Sequence, residues 1–242
     1  MKKISILTLF VLIFGFLSSI SCGYLISSAV VSSFGYTSNI TTQQQYLYAI
    51  SIVQPNSTEI SREYIESLQS QNGAGYVYRF ENKQHLISSI YENINDAELV
   101  KNNISTSGIA CDIITISLPP KSIEGNFSTD EKTTLENALN CDLNIFKKLY
   151  DIAISLDTGI YDTTKAKLLC NAVYSECISA KSNIETLFKG AQANNLKSDL
   201  DETSKHLFDL KNENYQTKNQ TFSSLIKQTY CKIILKLPID NP

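Results

Sequence analysis

The hydrophobic residues of this chain change their period once, near residue 120, and that single change decides what each half can build. From Tyr46 to Pro119 the pattern is mixed, with stretches in which apolar and aromatic residues alternate at the spacing of a strand with one face buried. From Ser128 onward they recur at threes and fours, the spacing of an amphipathic helix. The first half reads as four strands and two helices. Tyr46 to Val53 is rich in aromatic and β-branched residues and predicts a strand, broken by Pro55. A helix follows, with Asn56 or Ser57 as its cap, Ile60, Tyr64 and Leu68 at intervals of four, and Asn72-Gly73 as its stop. Gly75 to Glu81 and His85 to Tyr91 predict two strands around a turn at Asn82 and Lys83. Asn95 or Asp96 would cap a helix from Ala97 to Ser105, closed by Gly108, and Ala110 to Leu118 ends the series. The order is βαββαβ, in which two helices cover one face of an antiparallel sheet and leave the other open.

The second half opens with Ser128-x-x-Glu131, a capping box. Leu135, Leu139, Phe146, Leu149, Ile152 and Leu156 form one stripe, interrupted only by Asp142. Asp157, Thr158 and Gly159 turn the chain. Three further stripes follow: Thr163 to Lys189, stopped by Gly190; Leu196, Leu200, Leu207 and Leu210; and Phe222 to Ile233. Four amphipathic segments with short connections predict an antiparallel helical bundle over residues 128–237. Residues 120–127 and 35–44 are the linkers on either side of an αβ module at residues 45–119.

Ahead of both halves, Lys2 and Lys3 precede an almost uncharged apolar run from Ile4 to Val31, long enough to span a bilayer as a helix. The flanking lysines would hold the N-terminus in the cytoplasm. Residues 1–34 are therefore expected to be a signal anchor, giving a single-pass protein of the cell membrane whose C-terminal part is extracytoplasmic. Cleavage, or lipidation at Cys22, is the alternative. The fold class expected is α+β: a transmembrane helix, a ferredoxin-like αβ module and a helical bundle. Net charge is −3, Arg62 and Arg79 are the only arginines, and no basic cluster occurs, which argues against nucleic acid as a partner. The six cysteines show no CxxC spacing; each sits in an apolar context and reads as a buried small hydrophobe. Heavy use of Asn, Ser, Ile and Lys fits an AT-rich bacterial genome.

The segment from Asn82 to Val100 aligns without gaps with a third strand, turn and second-helix start, and Leu47 to Ile52 with a first strand. In that alignment the αβ module resembles the SPOR domain, over about a third of the chain. The resemblance implies binding of bacterial peptidoglycan, particularly glycan strands stripped of stem peptides, through an exposed sheet face in cell division or sporulation. The family's first-strand Gln falls on Tyr48 and its Gly on Ile50, the Ser is kept as Ser51, and a third-strand basic residue falls on His85, near Lys83. Sugar rings stack on aromatics and need polar groups around them. Tyr48, Ser51, Arg79, Lys83, His85 and Tyr91 are the candidate glycan-binding residues, with Tyr46, Tyr76 and Tyr78 nearby; half-buried packing is the competing role for the tyrosines.

Motifs that suggest catalysis have ordinary explanations in this context. Asp157-Thr158-Gly159 matches the aspartic-protease triplet but lies between helical stripes. Ser224-x-x-Lys227 lies within a stripe and lacks the partner motifs of the enzymes that use it. His85 and His206 are far apart in sequence and assemble no triad or zinc set. No catalytic residue, metal or cofactor is expected. The sequence thus predicts a non-enzymatic envelope protein that binds peptidoglycan. The alternative is a scaffold whose αβ module and helical bundle bind protein, by self-association or with another partner.

Overall fold

A computed structural model describes residues 38–53, 60–80, 83–188 and 191–236. The described residues fall into two compact units, one within residues 40–123 and 128–236 and one of residues 38–39 with 124–127. The strands are β1 (Ser38–Thr41), β2 (Gln45–Ile52), β3 (Tyr76–Phe80), β4 (Lys83–Tyr91), β5 (Cys111–Leu118) and β6 (Ser122–Gly125). Strands β2 to β5 make an antiparallel sheet in the order β3-β4-β2-β5, while β1 and β6 make a two-stranded one. Where the latter begins, Thr42 and Lys121 exchange backbone and side-chain hydrogen bonds of 2.9 and 2.8 Å.

Two helices cover one face of the larger sheet. Helix α1 (Arg62–Ser70) is capped by Ser61, whose side chain accepts from the Tyr64 N–H at 3.3 Å. The expected caps Asn56 and Ser57 lie outside the described residues. Helix α2 (Ile94–Thr106) is capped by Asn93, with Asn95 and Asp96 inside its first turn. The cap moves because Asn93 keeps an extended backbone and accepts from the Asn95 N–H at 2.9 Å. Ile50, Ile52, Leu86, Tyr91 and Cys111 from the sheet meet Ala97 of α2 in one core, joined by Tyr64, Ile65, Leu68, Val100 and Ile104. Burial of each large aliphatic side chain there stabilises the fold by about 1.5–3 kcal/mol.

The second half holds α3 (Thr129–Leu139), α4 (Cys141–Asp157), α5 (Thr163–Leu187), α6 (Ala191–Lys211) and α7 (Phe222–Ile234). The capping box at the start of α3 forms in full. The single stripe expected from Leu135 to Leu156 breaks at Asn140, whose side-chain amide donates to the Glu136 carbonyl at 2.9 Å. Asparagine competes for backbone partners in this way, so the helix stops and restarts. Asp142, the polar residue in the stripe, accepts from the Thr203 hydroxyl at 2.7 Å and pairs with Lys121 and Lys236. Helices α5 and α6 run antiparallel, since Lys167 pairs with Glu213, Tyr174 touches Phe208 and Lys181 pairs with Asp201.

Helix α7 changes the architecture that the sequence predicts. Every residue in it except Lys232 is buried. It packs on α4 and α6 and also against β3 and β4. Tyr230 meets the Phe146 ring edge-on at 5.3 Å and lies against the backbone of Ile90. The second sheet face, expected to be open, is therefore roofed by the last helix over β3 and β4.

A second correction concerns the membrane. Among the described residues no helix is long and apolar enough to cross a bilayer. Helix α5 is long enough but carries Lys165, Lys167, Glu176, Lys181 and Glu185, and the apolar α7 has 13 residues where about 20 are needed. The spanning segment expected at residues 1–34 lies outside the described residues. The fold is thus a mixed α+β arrangement of seven helices and two antiparallel sheets among the described residues, in place of one led by a transmembrane helix. Single-pass anchoring in the cell membrane, with an extracytoplasmic remainder, is not supported by it.

Candidate functional site

One corner of the roofed face escapes α7. Because residues opposite each other in an antiparallel pair point to the same side, the pairing of Tyr78 with His85 and of Phe80 with Lys83 places all four on the α7 side. Ser51 joins them: its hydroxyl and the His85 Nδ1 share a hydrogen bond of 3.1 Å. The Tyr78 and Phe80 rings lie 6.2 Å apart and almost parallel, at 17°, and Phe80 meets the His85 ring at 6.3 Å and 61°. Phe80 is 37% exposed, whereas Ser51 is 2% exposed and acts beneath the surface. Partial burial raises the Tyr78 hydroxyl above its ordinary 10.0, so it remains a donor at neutral pH. The corner offers an apolar ring surface, an imidazole, an ammonium at Lys83 and a phenol.

The remaining candidates lie elsewhere. Tyr48 and Tyr91 face α1 and α2 and belong to the core on that side. Tyr91 is buried, accepts from the Ser89 hydroxyl at 2.9 Å and packs edge-on to Tyr150. Arg79 is exposed but pairs with Gln84 on the opposite side from His85. Tyr76 shares the roofed face, and burial beside Cys231 of α7 pushes its hydroxyl up to about 12. Of the six residues that the sequence groups as one site, the structure places Ser51, Lys83 and His85 on one side of the sheet and Tyr48, Tyr91 and Arg79 on the other, and Phe80 is not among the six. The i, i+2 spacing of Tyr76, Tyr78 and Phe80 was the signal that could have found it.

The two catalytic look-alikes converge, and each has a packing partner. The Lys227 ammonium reaches the Asp157 carboxylate at 2.5 Å and the Asn72 carbonyl at 2.9 Å. Asn72 adopts the left-handed conformation, φ 64°, at the end of α1. The pair therefore ties α7 to the end of α4 and to the loop before β3. Ser224 is fully buried; its hydroxyl accepts from the Gln220 amide at 3.5 Å. Among the described residues no group of three His, Cys, Asp or Glu side chains gathers to hold a metal ion.

A second surface stands out on the helical half. Leu168 of α5 is 62% exposed and Phe208 of α6 is 48% exposed, with Tyr215 and Ile160 also largely open. Tyr174 touches the Phe208 ring at 6.1 Å, and Lys211 sits over the Tyr174 ring at 4.9 Å. Lys167 pairs with Glu213 at 2.6 Å along the same seam. The result is an apolar band edged by charges of both signs. Comparison of the chain with protein-family models, with curated proteins and with solved structures finds no match.

Proposed function

We propose that this protein is a non-enzymatic binding scaffold that engages protein through the apolar band on α5 and α6. The observation that carries the reading is the exposure of Phe208 against the Tyr174 ring on the seam of α5 and α6, with Leu168 exposed on the same helix α5. Large apolar side chains grouped on a surface mark association sites more often than single ones do. Opposite charges at Lys167, Lys211 and Glu213 around the band suit a second copy of the same chain, which would present the complementary set. The packing roles of Asp157, Ser224 and Lys227 support the absence of catalysis, since each is engaged in holding α7.

Sedimentation of the full chain over a range of concentrations tests this. A concentration-dependent dimer, lost in a Leu168→Glu/Phe208→Glu variant of unchanged helicity, supports the scaffold. A monomer at every concentration sinks it.

A second reading keeps the glycan. The nearly parallel Tyr78 and Phe80 rings, with Lys83 and His85 beside them, match what a pyranose ring needs on its apolar face and at its hydroxyls. Peptidoglycan would then be gripped at the sheet corner instead of across an open face. Retention on glycan strands stripped of stem peptides, abolished by Phe80→Ala, is the expected result. Equal retention of the wild type and that variant would exclude the corner.

A further inference from the structure

Strand β5 is the outer strand of the larger sheet. It pairs with β2 through all 8 of its residues, from Cys111 opposite Ile52 to Leu118 opposite Gln45. Among the described residues no strand lies on its other side. The Val53 N–H bonds the Ala110 carbonyl at 2.8 Å, one step beyond the end of that register. Bonded and unbonded pairs alternate along an antiparallel ladder. Asp112, Ile114, Ile116 and Leu118 therefore bond to β2, whereas Ile113, Thr115 and Ser117 turn their backbone N–H and C=O groups outward. Among the described residues no hydrogen-bond partner takes up those outward groups.

Exposed edges are ordinarily blunted by shortness, by a proline or a bulge, or by a cationic side chain. The opposite edge of the sheet, β3, has 5 residues and carries Arg79. Strand β5 has none of these devices. It contains no proline, its register with β2 is unbroken, and its one charge is that of Asp112. Its side chains add a pattern to the free backbone. On one side Ile114 and Ile116, both buried, follow Asp112; on the other, Thr115 and Ser117 are exposed. The Asp112 side chain is 71% exposed, and Lys101 of α2 approaches it no closer than 3.7 Å.

We propose that the outer edge of β5 takes up an extended segment of a partner protein as an added antiparallel strand. The guest residues opposite Ile113, Thr115 and Ser117 exchange N–H···O bonds with them in both directions. The guest side chains then alternate. Apolar β-branched ones stand beside Ile114 and Ile116, hydroxyl-bearing ones beside Thr115 and Ser117, and a basic one beside Asp112, which it complements in charge. In its own direction the guest runs hydroxyl, apolar, hydroxyl, apolar, hydroxyl, basic. The edge belongs to the sheet and not to α5 and α6, so its occupancy does not rest on association through the apolar band.

The probe is a fluorescein-labelled peptide, Thr-Val-Thr-Val-Thr-Lys with blocked ends, titrated with the full chain and followed by fluorescence anisotropy. Saturable binding is the expected result. Methylating the amide nitrogens of the second and third threonines, which face β5, should weaken it at least about tenfold, whereas methylating both valine nitrogens, which face away, should leave it within about threefold. Asp112→Lys should reverse the preference, favouring the same peptide ended in glutamate over the lysine-ended one. Thr115→Pro, which removes an outward N–H and no bond to β2, should weaken binding at least about tenfold. Circular dichroism shows whether that variant folds; if it does not, the methylated peptides and Asp112→Lys decide. No saturable binding up to about 1 mM chain, equal weakening by the two sets of methyl groups, or an unchanged preference in Asp112→Lys would overturn the proposal. A dimer of the full chain that Thr115→Pro abolishes would overturn it too, since a second copy would then fill the edge. The titration and the sedimentation test fail separately: a monomeric chain can still bind the peptide, and a dimer through the band can fail to.

Discussion

Polar residues in the interior do the joining. Gln69 is fully buried at the end of α1, where its side-chain oxygen accepts from the Thr217 hydroxyl at 2.8 Å. Its backbone carbonyl receives the Thr221 N–H at 3.4 Å, so a residue of the αβ half holds the segment that leads into α7. Lys227 does the same from the other side through Asp157 and Asn72. Lys227→Met should destabilise the fold by about 3 kcal/mol, because it leaves a largely buried carboxylate without its cation; the midpoint of urea unfolding measures it. His206 supplies a pH dependence. Burial lowers its pKa below the ordinary 6.5, with Lys232 and Lys236 adding to the effect and Glu202 and Asp209 opposing it. The unfolded chain then binds the proton more readily than the folded one, so stability is complete above pH 6.5 and falls as pH drops through the lowered value. A His206→Gln variant should show a flatter fall in melting temperature across that window.

At the scale of the element, local signals were legible where a side chain acts on its own helix or strand. Ser128 and Glu131 announce the start of α3, and Ser128→Ala should reduce stability by about 1 kcal/mol in the same unfolding measurement. The βαββαβ order was legible from Tyr46, Tyr78, Ile90 and Ile114 and their neighbours, whose β-branched and aromatic character suits strands. Three features were not. The irregularity that shifts the β2–β4 register between Ile50 and Ser51 depends on pairing, which alternation alone does not display. The break at Asn140 depends on a side chain bonding backward. The sharp approach to β3 depends on Gly75, φ 59°, where an added Cβ would fall 2.5 Å from the Gln69 side chain. Gly75→Ala should therefore destabilise by more than about 1 kcal/mol, through both the left-handed backbone and the collision.

For the whole molecule, the lesson lies in α7. Ser223, Ser224, Lys227 and Gln228 are polar residues outside the apolar stripe of this helix, yet all four are buried. A residue-by-residue hydropathy reading assigns such a helix one partner, whereas here it has one on each side: α4 and α6 towards one flank, β3 and β4 towards another. That is why the roof over the sheet, and the reduction of the candidate site to a corner, could not be seen beforehand. Thermal unfolding followed by far-ultraviolet circular dichroism and by tyrosine fluorescence, in a chain without tryptophan, should give coincident transitions. A chain ending at residue 212 should lose the tertiary signal of the sheet as well as that of the helices.

The same late helix sets the order of events on the ribosome. Ile87 and Ile90 of β4 are made in the first half, but the helix that packs on β4 arrives only with Tyr230 and its neighbours. At bacterial or eukaryotic synthesis rates, translation from β5 to the end of α7 takes roughly 10 s. Throughout that interval the nascent chain carries one naked hydrophobic sheet face, and its safe passage depends on chaperones.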